Sequence, residues 1–102
     1  MGQVVPFSDP ANYVLASRRI RKLWNEVRVE IKPHAQKRMK NRDLDILDIQ
    51  YAIRYGRIVS HSQPENLWRY NVQGKLLDGR RISCIVEIDT SFLIIISVIS
   101  RL

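Results

Sequence analysis

Several residue types that define large classes of protein are scarce in this chain of 102 residues. It has one cysteine, so an internal disulfide framework is excluded and a structural zinc site lacks thiolate ligands. Its longest unbroken apolar run, residues 92–96, is five residues long, far short of the roughly 20 that span a bilayer. The first residues lack the basic and long apolar regions of a secretory signal. We therefore expect a cytoplasmic protein that neither enters a membrane nor depends on disulfides.

Acidic residues are also scarce, and the shortage is confined to one part of the chain. Residues 1–42 contain ten basic and three acidic side chains, whereas residues 43–102 contain seven of each. The formal net charge of +7 therefore comes from the first two-fifths of the sequence. A concentrated positive charge attracts polyanions, of which nucleic acid is the commonest. The alternative is a solvated helix face that only keeps the protein soluble, and charge alone does not decide between the two.

The spacing of apolar residues predicts a basic amphipathic helix near the N-terminus. Asp9 and Pro10 are typical of an N-cap and a first helical position, so the helix is expected over residues 10–25. Its apolar stripe consists of Tyr13, Ala16, Ile20, Leu23 and Val27. Its opposite face contains Arg18, Arg21 and Lys22. Alternation of apolar and charged residues then predicts a short strand over residues 27–32.

Two more helices are expected before the pattern changes. Pro33 suits the first turn of a helix that ends near Arg42. Asp45 is expected to cap the next helix, and Gly56 to end it in the left-handed conformation. The buried face of this last helix is predicted to consist of Ile46, Ile49, Ala52 and Ile53.

After Gly56 the apolar period becomes two, which is typical of β-strands. Trp68, Tyr70 and Val72 share one face of a predicted strand, and Arg69 lies on the other. The strands are expected over residues 57–62, 67–73, 80–89 and 92–100, with turns at 78–79 and 89–91. The sequence therefore predicts one α+β domain, in which N-terminal helices pack on an antiparallel meander. Residues 1–26 form a helical extension in this scheme and residues 27–102 form the core.

The second predicted helix has the most informative spacing. His34, Arg38 and Arg42 are four residues apart and share one helix face. Arginine donates bidentate hydrogen bonds to phosphate, and histidine exchanges a proton near neutral pH. The structural alternative is that His34 bonds to the adjacent strand and the arginines pair with nearby aspartates. Those aspartates are Asp43, Asp45 and Asp48. Spacing alone favours this structural alternative, because such ion pairs are common.

The stretch from Ile31 to Arg101 resembles a small bacterial domain family of unknown function. The resemblance depends on His34-Ala35-x-x-Arg38-Met39, followed by Arg42, Ile53, Gly56, Tyr70 and residues 95–98. That family is similar to the RelE/BrnT-type toxin fold, in which helices lie on an antiparallel sheet that cuts RNA. Where the family has glycine after the second arginine, this chain has Asp43. Aspartate tolerates the left-handed conformation, so the turn is expected to survive.

The resemblance implies a metal-independent endoribonuclease of a type II toxin–antitoxin system. Its substrate would be RNA, free or on the ribosome, and its partner a cognate antitoxin. Cleavage at a 2′-hydroxyl requires proton transfer and cations around the phosphate. We assign proton transfer to His34, phosphate binding to Arg38 and Arg42, and base stacking to Tyr70. Further contacts to nucleic acid are assigned to Arg18, Arg21, Lys22, Lys37, Arg69 and Arg81.

Three alternatives stay open at this point. The protein is either an enzyme or a non-catalytic module that binds nucleic acid or protein on the same fold. Tyr70 belongs either to the site or, by its alternation with Trp68 and Val72, to the core. The oligomeric state is a monomer or a homodimer. His61 is either a second acid–base group beside His34 or a surface residue, and the surface position is predicted; Cys84 is predicted to be a core residue. No cofactor or metal is expected, because the sequence has no phosphate-binding glycine loop and no metal-ligand spacing.

Overall fold

The computed structural model describes residues 9–89 and 91–101, which contain three α-helices and five strands. In chain order these are α1 (Tyr13–Asn25), β1 (Val29–Ile31), α2 (Pro33–Asn41), α3 (Ile46–Tyr55), β2 (Arg57–Ser62), a short 3-10 turn (Pro64–Asn66), β3 (Trp68–Lys75), β4 (Arg81–Ile88) and β5 (Leu93–Arg101). The predicted α+β class is confirmed. The predicted α2 and β2 match the structure to within one residue.

The five strands form one mixed sheet in the order β1-β5-β4-β3-β2. Strands β2 to β5 pair antiparallel, which is the predicted meander. Strand β1 instead runs parallel to β5, with Val29 opposite Leu93. The antiparallel prediction was therefore incomplete at this edge. Parallel neighbours need a long crossover, and here α2, α3 and three strands supply it.

Alternation along the strands gives the sheet one buried face. All three helices contribute side chains to a single core on that face. The strand residues of this core include Trp68, Tyr70, Val72, Ile82, Cys84, Val86, Ile88, Leu93, Ile95 and Val98. Cys84 is fully buried, as predicted. The other face carries none of the three helices, and we call it the outer face.

Helix α1 begins three residues later than predicted and ends at Asn25, as predicted, but its apolar stripe is shorter than expected. Its N-cap is Asn12, whose side chain accepts a hydrogen bond from the Leu15 N–H. Asp9 instead accepts from the Ala11 N–H at 2.9 Å and so forms a turn before the helix. Val27 was predicted to extend the apolar stripe, but it lies beyond the helix at φ 59° and is 87% exposed. The stripe therefore ends at Leu23.

Helix α2 ends as the sequence predicts. Asp43 has φ 53°, which is the left-handed conformation expected in place of glycine. The Leu44 N–H donates to the Met39 carbonyl at 2.8 Å, and the Asp43 N–H donates to the Lys40 carbonyl at 3.3 Å. These two bonds form a Schellman motif, which satisfies carbonyls at the end of the helix.

Helix α3 has the predicted cap but departs from the prediction at two positions. Asp45 and Asp48 form a reciprocal capping box. Ile46 was predicted to be buried but is 47% exposed, because it lies in the first turn beyond the core. Gly56 is extended rather than left-handed, with φ −80° and ψ −176°. A Cβ at Gly56 would collide with the carbonyl oxygens of Ala52 and Gln73, so glycine is required here by close approach.

The strand ends shift by a few residues from their predicted places. Strand β3 continues through Lys75, where a loop was predicted, because it pairs with β4 as far as Arg81. Gly79 then makes the turn at φ 91°. At the predicted turn 89–91, Thr90 lies outside the described residues. On either side of it, the Asp89 N–H donates to the Phe92 carbonyl at 2.9 Å.

Candidate nucleic-acid interface

The predicted row on α2 lies at the protein surface. Ala35 and Met39 are buried and anchor the helix on the core. His34 and Arg42 are exposed, and Arg38 is half-buried beside the anchor. The four-residue spacing therefore places the imidazole of His34 and the guanidinium of Arg38 on the solvent side of α2, and Arg42 follows as the C-cap residue of the helix. We call these three residues the α2 row.

Residues outside the α2 row make the structural contacts that the sequence had offered for it, namely the hydrogen bond to the adjacent strand and the bonds to the nearby aspartates. Gln36 Nε2, not His34, donates to the Ile31 carbonyl of the adjacent strand, at 2.8 Å. Asp45 and Asp48 accept hydrogen bonds from backbone N–H groups of the α3 cap. Within residues 9–89 and 91–101, no side chain of the α2 row makes a hydrogen bond or ion pair. The structural alternative is therefore wrong, and the row is available to a ligand.

Tyr70 is a core residue. It is 1% exposed, and its hydroxyl donates to the Pro10 carbonyl at 2.8 Å. Burial, and to a smaller extent the neighbouring Tyr13 and Asp9, raise the pKa of the Tyr70 phenol above its ordinary value. A ring enclosed in this way cannot stack on a base, so the alternation with Trp68 and Val72 gave the correct placement.

Arg69 faces the outer side of the sheet, opposite to Tyr70. Its Nε and Nη2 atoms donate to Oε2 of Glu87 at 3.0 and 2.7 Å. Glu87 is buried, so this carboxylate depends on Arg69 for its compensation. Arg69 therefore has a structural task. Arg81 is also on the outer face, opposite Lys75 in the register, and is exposed.

His61 does not form an acid–base pair with His34. It is exposed, as predicted, and its Nδ1 lies 2.8 Å from the Tyr13 hydroxyl. Strand β2, which carries His61, is an edge of the sheet, and α2 packs on β5 near the other edge. Strands β2 and β5 are three strand spacings apart, about 14 Å. The two imidazoles therefore belong to different parts of the molecule.

The basic residues of α1 border a second candidate surface. Arg18, Arg21 and Lys22 are exposed, as is Lys37 on α2. A groove of about 320 Å³ separates α1 from the start of β2, and Arg18 and Arg21 line it together with Arg57. Sequence reasoning missed Arg57. The sequence carries no local signal for its role, because Arg57 meets Arg18 and Arg21 only through the packing of α1 beside the start of β2.

Neither a thiol nucleophile nor a metal cluster is found among the described residues. Burial raises the pKa of Cys84 to about 12 from its ordinary value near 9, so the unreactive thiol form persists at neutral pH. No group of three potential metal ligands occurs in residues 9–89 and 91–101. None of the helices in the same residues is long and apolar enough to cross a membrane.

The fold and these surfaces define a basic α+β domain with three helices on one face of a five-stranded sheet. Residues 31–100 match the family described as a domain of unknown function, DUF4258, and the protein belongs to that family. The predicted membership of a family of unknown function is confirmed, whereas the likeness to the RelE/BrnT fold stays a prediction. No curated protein and no solved structure matches the chain. The family match contains the α2 row and the meander, and α1 lies outside it.

Proposed function

We propose that this protein binds RNA through the α2 row. The supporting observation is that His34, Arg38 and Arg42 are held at the surface by buried neighbours yet have no partner among the described residues. A guanidinium that already pairs with a carboxylate must exchange that partner for a phosphate. The guanidiniums of Arg38 and Arg42 have no carboxylate partner, so a phosphate can bind them without first breaking an ion pair.

The spacing of the row also suits a chain of phosphates. Successive turns of a helix rise about 5.4 Å, so Arg38 and Arg42 present two separate guanidinium forks along one line. Each fork can donate two parallel hydrogen bonds to one phosphate. His34 lies one turn before them and adds a donor that is also a proton acceptor. Two phosphate contacts are therefore expected from the arginines.

The test compares RNA binding by two charge-matched double variants of the full chain. Arg38→Gln with Arg42→Gln removes the proposed contacts. Lys40→Gln with Lys75→Gln removes the same charge from outside the row. Fluorescence anisotropy with a labelled single-stranded RNA is measured from about 50 to 300 mM salt. We expect the first variant to lose at least tenfold in affinity and its salt slope to fall by about 1.4, or about 0.7 per phosphate.

The control variant should retain binding within about threefold, since it loses only long-range attraction. The proposal is wrong if both double variants bind alike, or if the wild-type protein binds no RNA. Circular dichroism of each variant checks that the fold is retained. Glutamine keeps most of the aliphatic stem of Arg38, which matters because that residue is half-buried.

RNA cleavage is the second candidate function, and the free imidazole of His34 favours it. The catalytic set then reduces to His34 for proton transfer and Arg38 and Arg42 for the phosphate, because Tyr70 is enclosed. The partner implied is an antitoxin that covers the basic row with an acidic or amphipathic helix. In this case His34→Gln should abolish cleavage while RNA affinity changes by less than threefold. Intact RNA after incubation with the wild-type protein would exclude the enzyme and leave binding.

A further inference from the structure

The groove between α1 and the start of β2 concentrates positive charge around one cavity. Arg18 and Arg21 reach the groove from α1, and Arg57 reaches it from β2. All three side chains are exposed. None of them makes a hydrogen bond or ion pair with another described residue. Three uncompensated guanidiniums therefore border a space of about 320 Å³.

Helix geometry and a fixed contact hold this groove in place. Val14, Ser17, Arg18 and Arg21 are spaced by three and four residues, so they share the face of α1 that lines the groove. The next face of the helix is anchored in the core through Ala16, Ile20 and Leu23. At the start of α1, the Tyr13 hydroxyl is 2.8 Å from His61 Nδ1 on β2. The arginines thus extend from a backbone that is fixed on both sides.

One part of the groove is apolar. Val14, which is 63% exposed, and Ile58, which is buried, both contribute to the lining. Ser17 adds a hydroxyl to the lining. The volume is at the lower end of the range of about 300–1,000 Å³ for small-molecule sites. The groove therefore has room for more than an isolated phosphate ion, and it offers an apolar surface beside the cationic one.

We propose that this groove binds a nucleotide unit, with the phosphate between Arg18, Arg21 and Arg57 and the sugar or base against Val14 and Ile58. Arginine matches the charge and geometry of phosphate through paired N–H donors. The C-terminal end of α3 at Gly56 contributes an opposing charge equivalent to about −0.5. Three full positive charges outweigh it.

This site is separate from the α2 row and does not depend on the function proposed there. Strand β2 and α2 lie towards opposite edges of the sheet. Two of the three arginines precede residue 31, where the family match begins. Helix α1 therefore adds a binding surface to the family domain, which explains why its exposed face is basic.

The experiment uses the full chain and probes of known composition. Isotope-labelled protein is titrated with inorganic phosphate and with adenosine monophosphate, and amide shifts are followed by NMR. We expect the amides of Ser17 and Gly56 to shift with the nucleotide and to shift less with phosphate alone. The variant Arg18→Gln with Arg21→Gln and Arg57→Gln should bind the nucleotide at least tenfold more weakly. The control Lys32→Gln with Lys40→Gln and Lys75→Gln loses the same charge elsewhere and should stay within threefold.

A second arm identifies the source of the nucleotide unit. A labelled single-stranded RNA is compared with adenosine monophosphate on the same variants. If RNA binds at least tenfold more tightly and also depends on the groove arginines, the ligand is a segment of RNA. If the two affinities are similar, the ligand is a free nucleotide. Both results support nucleotide binding in the groove, and they distinguish a segment of RNA from a free nucleotide as the ligand.

Two results would overturn the proposal. One is that neither probe shifts Ser17 or Gly56 in the wild-type protein. The other is that the groove variant binds as the control variant does. RNA binding that depends on Arg38 and Arg42 alone, with adenosine monophosphate still dependent on the groove arginines, would assign RNA to the α2 row and a free nucleotide to the groove. RNA binding that depends on the groove arginines alone would reject the α2 proposal and retain this one. The single variant Arg57→Gln repeats the test if the triple variant is less stable.

Discussion

At the scale of single residues, Tyr70 shows how one side chain can fit two interpretations of a sequence. Its place in the family resemblance suggested a role in the site, whereas its alternation with Trp68 and Val72 indicated the core. The structure buries the ring and satisfies its hydroxyl with the Pro10 carbonyl. Tyr70 therefore fastens the segment before α1 to the sheet. Local alternation was the better guide because it reports burial directly.

Burial of Tyr70 and Cys84 predicts a loss of stability in alkaline solution. Both groups have a pKa raised by burial, that of Cys84 to about 12. In the unfolded chain the thiol and the phenol ionise near pH 9 and 10, so the unfolded state binds fewer protons than the folded state above about pH 9. The contribution of these two groups to the free energy of unfolding should therefore be constant below about pH 9 and fall between pH 9 and 12. Urea unfolding at a series of pH values measures it.

Substitution identifies which group causes this decline. Cys84→Val removes the thiol and nearly preserves its volume, so the decline should become shallower and begin near pH 10. One titrating group contributes a slope of at most about 1.4 kcal/mol per pH unit. An identical alkaline slope in Cys84→Val and in the wild-type protein would show that the thiol is not shielded in the folded state.

At the scale of elements, α1 and α2 end in the same motif with different residues. Each helix is followed by a left-handed residue, Val27 after α1 and Asp43 after α2. After α1 the Arg28 N–H donates to the Leu23 carbonyl at 2.9 Å, and the Val27 N–H donates to the Trp24 carbonyl at 3.0 Å. Aspartate tolerates this conformation, but a β-branched side chain is strained in it. The end of α1 therefore stores strain that the end of α2 avoids.

Val27→Gly should stabilise the protein. The side chain is 87% exposed, so little packing is lost. Relief of the left-handed strain gains about 1–2 kcal/mol, and the added freedom of glycine in the unfolded chain costs about 0.5–1 kcal/mol. We expect a net gain of about 0.5–1 kcal/mol in the free energy of unfolding, measured by urea titration. Val14→Gly is the matched control and should destabilise, because Val14 is an exposed residue inside the same helix. A lower free energy of unfolding in both variants would show that Val27 is not strained in the folded protein.

The sequence predicts those elements whose signals are local. Pro33 at the start of α2, Asp45 at the cap of α3 and Asp43 at the turn between them all act on their immediate neighbours. The start of α1 was misplaced because Asp9 and Asn12 are both good caps, and Asp9 forms a turn instead. The conformation of Gly56 was predicted wrongly, because glycine is needed there to let the Gln73 carbonyl of β3 approach the backbone, and not to adopt a left-handed conformation. Contacts between distant segments leave no local pattern.

At the scale of the whole molecule, the pairing order of the strands decides which predicted site residues can act together. Spacing predicted a common side of α2 for His34, Arg38 and Arg42, of which Arg42 is the C-cap residue, and alternation placed Arg69 opposite to Tyr70. Neither pattern contains the order β1-β5-β4-β3-β2. That order separates the strand of Arg69 from β5, on which α2 packs, by two spacings, about 10 Å. The predicted constellation therefore divides into the α2 row, a buried tyrosine and an ion pair on the outer face.

The same long-range contacts make α1 part of the folded unit, although the family match begins after it. Leu23 is fully buried in the common core with the strand residues. Leu23→Ala leaves a cavity there, so we expect the free energy of unfolding to fall by about 2–5 kcal/mol. Val14→Ala changes an exposed residue of the same helix and should have an effect within about 0.5 kcal/mol. Urea unfolding followed by circular dichroism and tryptophan fluorescence measures both variants.

The number of steps in the urea unfolding curve shows whether α1 unfolds together with the rest of the protein. If α1 belongs to the cooperative unit, both probes should report one coincident transition in Leu23→Ala, shifted to lower urea. A helix that was only loosely attached would melt first and divide the unfolding curve into two steps, because α1, which carries Trp24, would unfold while the sheet, which carries Trp68, stayed folded. That result would also weaken the nucleotide groove, since Arg18 and Arg21 would lose the fixed backbone that aligns them with Arg57. A single transition would instead show that the basic helix is held rigidly enough to present a binding site.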